Sequence, residues 1–289
     1  MMEPEYIKIN RELWDKRTEA HLKTEFYNVP AFLNGNSTLN KTELDLLGDI
    51  TGKSLLHLQC HFGLDTMSLA RLGAEVTGVD LSPKAIQEAE KLAEQTQLQA
   101  KFVCSDIYDL PNNLQGKYDI IYTTYGTIGW LPDMTKWANI IAHFLKPSGL
   151  FILVDFHPVV WMFDDEFKYI QYSYFNKETI IEEESGSYAD HNADIKNLSY
   201  GWNHDLSEVL NALIQAGLKI EVFNEYDFSH YNCFKHTEKT ADGNYVIKHL
   251  RNKIPMMYGV RAGAPLSPAA AGLSAGDTPI AVGLQFCET

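Results

Sequence analysis

The chain of 289 residues carries 24 Lys and Arg against 38 Asp and Glu, a net charge of −14, and 45% of it is hydrophobic. That is enough apolar chain for one large domain or two small ones, and a surface this acidic repels phosphate backbones and anionic membranes, against nucleic-acid or membrane partners. No uncharged apolar run approaches the ~20 residues of a membrane helix, the start MMEPEYIKINRELW lacks an apolar signal core, and four cysteines without a C-x-x-C pair fit a reducing cytoplasm rather than a zinc or disulfide framework.

Residues 1–50 read as an amphipathic helical cap. Leu13, Trp14, Arg17 and His21 fall near one face, and a helix restarts over 42–47 after the Asn34-Gly35-Asn36-Ser37 break. Such a cap either packs on a larger core or forms a flap over a ligand. From Ser54 strands and helices alternate. A strand is expected over 54–59, a helix over 64–72 ended by Gly73, and a strand over 75–80. Ser82 caps the next helix with Pro83 at its first position, and Ala85, Ile86, Ala89, Leu92 and Ala93 form its buried stripe. Strands follow over 100–104 and 118–123. Met134, Trp137, Ile141, Phe144 and Leu145 keep helical spacing, 146–149 makes a turn, and 150–156 is a fifth strand.

Residues 157–202 break the alternation and are rich in aromatics, which predicts an inserted hairpin or lid. Asp205 and Glu208 resemble a capping box. The helix after them is expected to bury Leu206, Val209, Leu210, Leu213 and Ile214 and to end at Gly217, with further strands over 218–223 and 256–262. Repeated β-α-β units predict an α/β fold with a largely parallel sheet covered on both faces, whose ligands bind beyond the carboxyl ends of the strands. Of the 27 residues in 263–289, 13 are Ala, Gly or Pro and none is Lys or Arg, the composition of a disordered tail or a cloning-derived extension. The expected organisation is a cap over 1–50, a ligand-binding domain over 51–262 with its lid at 157–202, and the tail.

Chemistry concentrates at the strand ends. The first strand runs into Gln59-Cys60-His61-Phe62-Gly63 and then a helix, a polar backbone site for a nucleotide or amino-acid ligand. Asp80 ends the second strand 17 residues after Gly63, where an acid can accept from both hydroxyls of a ribose. Asp106, after the third strand, can accept from an exocyclic adenine amine. Residues 123–126 follow the fourth strand at the floor of the same crevice.

The stretch LLHLQCHFGLDTMSLARLGAEVTGVDLSPKAI resembles the cofactor region of class I S-adenosylmethionine-dependent methyltransferases, and more narrowly a bacterial small-molecule-type branch with an HLQCHFG-x-DT loop. The resemblance spans about 10–262 and includes NRELWDKR, YGTIGWLPD, KPSGLFILVDFHP and YGWNHDLSEVLNALIQAGL. It implies a Rossmann-like methyltransferase fold of seven strands, mostly parallel with the last antiparallel, and S-adenosylmethionine as cofactor. It further implies that Asp80 holds the ribose, Leu81 and Ile107 pack on the adenine, Asp106 receives its amine, and Thr123 and Tyr125 line the sulfonium and methionine side. The family's usual D/E-x-G-x-G-x-G loop is altered here. His57 replaces the leading acid, Gln59 and His61 replace the first two glycines, and only Gly63 remains. Gln59, His61 or nearby carbonyls must then hold the methionine amine. His57 fits a satisfied core histidine and Cys60 a small packing residue.

Methyl transfer from a sulfonium is an in-line displacement to an N, O, S or C atom, and a base is needed only where the acceptor must lose a proton. His157, at the end of the fifth strand, and His204 are the candidate bases, with Asp155 placed to orient either. Tyr125, Trp130, Trp161, Tyr172, Tyr174 and Trp202 are candidate walls for a small-molecule acceptor. Two rivals share features of the site. A nicotinamide-dependent oxidoreductase would have the acid after the second strand but lacks its G-x-G-x-x-G here. A non-enzymatic sensor of S-adenosylmethionine or S-adenosylhomocysteine would present the same cofactor residues.

Overall fold

The computed structural model describes residues 3–265 other than 176; most of the expected tail, 266–289, lies outside the described residues. Three helices open the chain, α1 (Glu5–His21), α2 (Val29–Leu33) and α3 (Lys41–Leu47). Alternation then begins with β1 (Ser54–Leu58), α4 (Leu64–Arg71), β2 (Glu75–Asp80), α5 (Pro83–Thr96) and β3 (Ala100–Cys104). It continues through the short α6 (Leu110–Asn113) to β4 (Tyr118–Thr124), α7 (Met134–Phe144) and β5 (Leu145–Phe156). Gln59, expected in β1, leaves the strand because its φ of 56° is left-handed. Leu145, expected to close α7, opens β5, which pairs with β4 on both sides of the turn at 146–149.

Two excursions interrupt the rest of the chain. The first, after β5, carries the antiparallel hairpin β6 (Ile180–Ser185) and β7 (Lys196–Gly201), as its aromatic patterning predicted. Then come α8 (Leu206–Gln215) and β8 (Lys219–Tyr226). Ile214 of α8, expected in the core, is 53% exposed, and Ala212 takes the inward position beside Val209 and Leu213. The second excursion was not anticipated. It carries β9 (Thr237–Lys239) and β10 (Tyr245–Ile247) before the chain returns as β11 (Met257–Gly263). Val246, Ile247 and Met256 pack with Val160 and Phe167, so the two excursions share one apolar cluster.

The seven strands lie in the order β3-β2-β1-β4-β5-β11-β8. Strands β1 to β5 are mutually parallel and β11 runs antiparallel to both neighbours. The period-two patterning of the strands sorts the core onto two faces. Leu55, Ile120, Tyr122, Ile152 and Val154 face α3 and α4. Leu56, Leu58, Ile121, Phe151, Leu153 and Val260 face α7 and α8, with Trp137 and Phe144 fully buried against them. Ser82 caps α5 by accepting from the Ala85 N–H at 3.0 Å, and Asp205 caps α8 by accepting from Glu208 N at 2.9 Å. The strand order reverses between β1 and β4. A doubly wound sheet opens a crevice at such a switch point.

Candidate functional site

The crevice is a cavity of about 730 Å³, within the usual range for a small-molecule or cofactor site. Its floor is the carboxyl edge of β1, β2, β4 and β5. Its walls are α1, the first excursion and the segment after β8. Eight of the nine expected cofactor residues line it: Gln59, His61, Gly63, Asp80, Leu81, Asp106, Ile107 and Tyr125. Thr123 does not. It lies beneath the floor with its hydroxyl donating to the Leu58 carbonyl at 3.3 Å, and Thr124 stands at the surface instead.

The turn after β1 is built without its usual glycines by holding side-chain-bearing residues in the left-handed region. Gln59 and His61 have φ of 56° and 50°, a conformation that costs roughly 1–2 kcal/mol per residue. Specific bonds hold it. The His61 N–H donates to Asp80 Oδ2 at 2.7 Å, the Cys60 N–H to the Val79 carbonyl at 2.8 Å, and Gln59 Nε2 to the Thr127 carbonyl at 2.8 Å. Gly63, at φ 77°, is required by space as well, since a Cβ there would meet Phe102 Cε1 at 2.7 Å.

Asp80 accepts from His61 N on one oxygen and from Ser82 N, at 2.9 Å, on the other. Burial pushes its carboxyl up to about 6 against the pull of those N–H groups. Each oxygen keeps a further lone pair for a ligand hydroxyl. Gln59 Oε1 and His61 Nδ1 are buried and have no hydrogen-bond partner within the protein. On the far ring nitrogen, His61 Nε2 meets His21 Nδ1 at 3.0 Å, and His21 Nε2 meets Ser187 Oγ at 3.1 Å. Burial holds His21 down to about 3 and His61 well below its ordinary range, so the pair is neutral. One chain of hydrogen bonds thus links the turn after β1, α1 and the first excursion. His57 is a core histidine, bonded through Nδ1 to Thr66 Oγ1 at 2.8 Å.

Helix α1 and the first excursion are clasped a second time. Asn10 of α1 donates to the Tyr200 carbonyl at 2.9 Å and accepts from the Tyr200 N–H at 3.0 Å, pairing with β7 as another strand would. Asp15 accepts from Ser82 Oγ and from Lys84 N, which seats α1 on the start of α5.

The expected bases fare differently from the cofactor residues. His157 does not line the cavity: its Nε2 faces Glu225 Oε1 at 3.0 Å and its Nδ1 accepts from the Val159 N–H at 3.2 Å. It is a buried turn residue with no lone pair to spare. His204 does line the cavity, but Nε2 donates to the Leu131 carbonyl at 2.7 Å and Nδ1 lies 3.2 Å from Glu208 Oε2. Both ring nitrogens are directed at protein acceptors, so neither is aimed at a ligand in the cavity. Asp155 orients neither histidine. It is buried and accepts from the N–H groups of Gly126, Thr127 and Ile128, which fixes the loop after β4, while burial raises its carboxyl. Of the aromatic candidates, Tyr125, Trp130, Trp161, Tyr172 and Trp202 line the cavity. Tyr174 does not; its hydroxyl accepts from Leu206 N at the start of α8.

Three further groups belong to the site. Tyr231, Cys233 and Phe234 reach the cavity from the second excursion. Their aromatic density was a signal, but no periodicity assigned the segment to a face. Asp65, at the start of α4, lines the cavity; burial pushes it up to about 6. Glu43 of α3 is fully buried behind the wall, where the Tyr125 hydroxyl donates to its Oε2 at 2.6 Å. Asn40 and Glu43 form a capping box legible as a helix start, but nothing in it announced a link to Tyr125.

Residues 55–149 match the family model described as a methyltransferase domain. An uncharacterised methyltransferase of Synechocystis is 32% identical over 133 residues, 45% of this chain and 60% of that protein. A ubiquinone biosynthesis O-methyltransferase of Xanthomonas oryzae is 31% identical over 118 residues, 40% of this chain and 49% of that protein. The match thus spans about half the length of these curated relatives. Among solved structures, magnesium protoporphyrin IX methyltransferase of Synechocystis with bound S-adenosylmethionine superposes with a TM-score of 0.51 at 15% identity, covering 91% of this chain and 99% of that one. At that identity the likeness is one of fold. Among the described residues no helix is long and apolar enough to cross a membrane. Residues 55–149 thus match a methyltransferase-domain model, and the chain has the fold of solved S-adenosylmethionine-dependent methyltransferases.

Proposed function

We propose that the protein is an S-adenosylmethionine-dependent methyltransferase acting on a small molecule. The observation that carries this reading is the convergence of Gln59, Asp80, Asp106 and Tyr125 from four strand ends on one cavity at the switch point. In this reading Asp80 takes the ribose hydroxyls on its free lone pairs. Leu81 and Ile107 pack on the adenine, and Asp106 accepts from its amine. The unpartnered Gln59 Oε1 suits the methionine ammonium, the group that a leading acid holds elsewhere in the family.

When bound, S-adenosylmethionine supplies an electrophilic methyl group on a cationic sulfur whose departure needs no acid. The protein's part is alignment and exclusion of water, and oriented reactions show that ~7–11 kcal/mol of a barrier can be removed this way. The acceptor would lie under the first excursion, against Trp161, Tyr172, Trp202, Tyr231 and Phe234. Closure of the cap and lid through His21 and Asn10 would shut the site over both ligands.

Isothermal calorimetry with S-adenosylmethionine, followed by transfer of a radiolabelled methyl group to a metabolite panel, tests this reading. Binding with transfer to at least one small acceptor is expected. Tight binding of a nicotinamide dinucleotide, with none of S-adenosylmethionine, overturns it. Cofactor binding without transfer to any acceptor points to the sensor.

A further inference from the structure

We propose that Tyr125 and Glu43 form a proton relay, and that the acceptor is an aryl hydroxyl compound whose proton enters it. The proposal rests on the methyltransferase reading above. With His157 and His204 both engaged, neither offers a lone pair to the cavity. Tyr125 does: it lines the cavity, its own O–H donates inward to Glu43 Oε2 at 2.6 Å, and its oxygen lone pairs remain for a ligand.

Tyr125 is also placed at some cost. Its φ of 52° is left-handed, which a bulky residue rarely adopts. Its N–H is tied to the Val154 carbonyl at 2.8 Å, and its ring meets Tyr231 edge-on at 4.9 Å. A strained residue held by its surroundings at the mouth of a site is grounds for a functional hypothesis.

Glu43 is more than a helix cap. The capping box accounts for Oε1, which accepts from Asn40 N at 2.8 Å, but not for Oε2 on Tyr125 or for complete burial. The groups facing it are Tyr122 of β4, Tyr125 just after that strand, Asp65 of α4, Asn40, and Tyr231 of the second excursion. Burial first, then the charge of Asp65, push its carboxyl up to about 7. A base poised near the working pH is the most effective kind.

The acceptor class follows from matching. An aryl hydroxyl and a tyrosine hydroxyl are the same functional group, and burial with the charge of Glu43 raises Tyr125 above its ordinary range, so its oxygen takes the incoming proton as its own proton passes to Glu43. The raised Glu43 narrows the remaining gap. The aromatic walls Trp161, Tyr172, Trp202 and Tyr231 suit a planar ring. In the step, the acceptor O–H bond breaks and its proton goes to Tyr125 Oη. The Tyr125 proton goes to Glu43 Oε2. The acceptor oxygen bonds the methyl carbon as the carbon–sulfur bond breaks, and sulfur keeps that electron pair. Glu43 begins as the anion and ends as the neutral acid.

The test uses the full chain with radiolabelled S-adenosylmethionine and a panel of mono- and dihydroxylated aromatics, thiols and amines. Calorimetry gives cofactor affinity, and thermal melting confirms that each variant folds. Tyr125→Phe and Glu43→Gln are each expected to lower kcat about 10²-fold, and Glu43→Gln, behind the cavity wall, is expected to change cofactor Kd less than about threefold. The wild-type kcat should rise through pH 7, Glu43→Gln should flatten that rise, and Glu43→Asp should recover part of the rate. Gln also serves in a capping box, so a purely structural Glu43 leaves Glu43→Gln near the wild-type rate, which overturns the relay. Methylation of thiols or amines only, or cofactor binding without transfer to any aryl hydroxyl, also overturns it while the cofactor reading stands. Failure of the wild type to bind S-adenosylmethionine defeats that reading instead.

Discussion

Gly63→Ala tests how the altered cofactor turn is held. The residue sits at φ 77°, and an added Cβ would stand 2.7 and 2.8 Å from two ring atoms of Phe102 and 3.1 Å from Ala89 Cβ. Ala89 lies on the buried stripe of α5 and Phe102 is a half-buried ring on the edge strand β3, so the ring must shift or the turn must move to admit the added carbon. The left-handed conformation costs an alanine about 1–2 kcal/mol, and overpacking a core position about 1–3 kcal/mol. For a domain of this size each kcal/mol lowers Tm by roughly 2–4 °C. A fall of at least ~5 °C is therefore expected in a calorimetric melt, with weakened S-adenosylmethionine binding because His61 and Asp80 move with the turn. Gly35→Ala is the control. It has φ 101° with nothing within 4 Å of the added carbon, so it carries strain without a clash. Phe102→Leu combined with Gly63→Ala should recover part of the loss. A Gly63→Ala melt within 1 °C of wild type would refute the reasoning, because it would mean that the turn relaxes freely.

Other predictions follow from the charges and clasps of the site. Asp80 is pushed up to about 6 from an ordinary value of 3.8, so the native state holds its proton more tightly than the unfolded chain does. Its contribution to stability is complete below pH 3.8 and is lost as pH rises through 6, so the wild-type Tm should fall between about pH 4 and pH 8 by more than that of Asp80→Asn, whose amide does not titrate and which also binds the cofactor more weakly. Equal changes in Tm for the two proteins over that pH range would contradict the buried-charge argument. Asn10→Ala leaves the Tyr200 backbone unpaired at about 1–3 kcal/mol, so limited proteolysis within 180–201 should accelerate. Unchanged cleavage would show that the clasp does not hold the lid. His157→Gln should lower Tm but keep kcat within about threefold, because the ring is bound to Glu225 and Val159 outside the cavity; a loss near the ~10² of a missing base would return His157 to the reaction.

What was legible in the sequence is what short-range rules determine. The five parallel strands, the Ser82 and Asp205 caps and the α5 stripe follow from periodicity and capping, which act over a few residues. Asp80, Asp106 and Gly63 were legible because a doubly wound sheet sets their spacing along the chain. Proton chemistry was not, because it depends on contacts between distant segments. His157 and His204 stand at plausible places in the chain, yet Glu225 lies 68 residues from one and Leu131 73 from the other, and those partners occupy their ring nitrogens. Glu43 reads locally as half of a cap, and only the 82-residue separation closed by Tyr125 brings it behind the cavity wall. The missing glycines fit the same view. Gln59 and His61 give up backbone ease, and their side chains gain reach: Gln59 to Thr127 on the loop after β4, His61 through His21 to Ser187 on the lid. A glycine loop can bind a cofactor but cannot carry side-chain bonds to cap and lid. In the function proposed above this turn does both, so filling of the cofactor site and closure of its cover act on the same three residues, His61, His21 and Ser187.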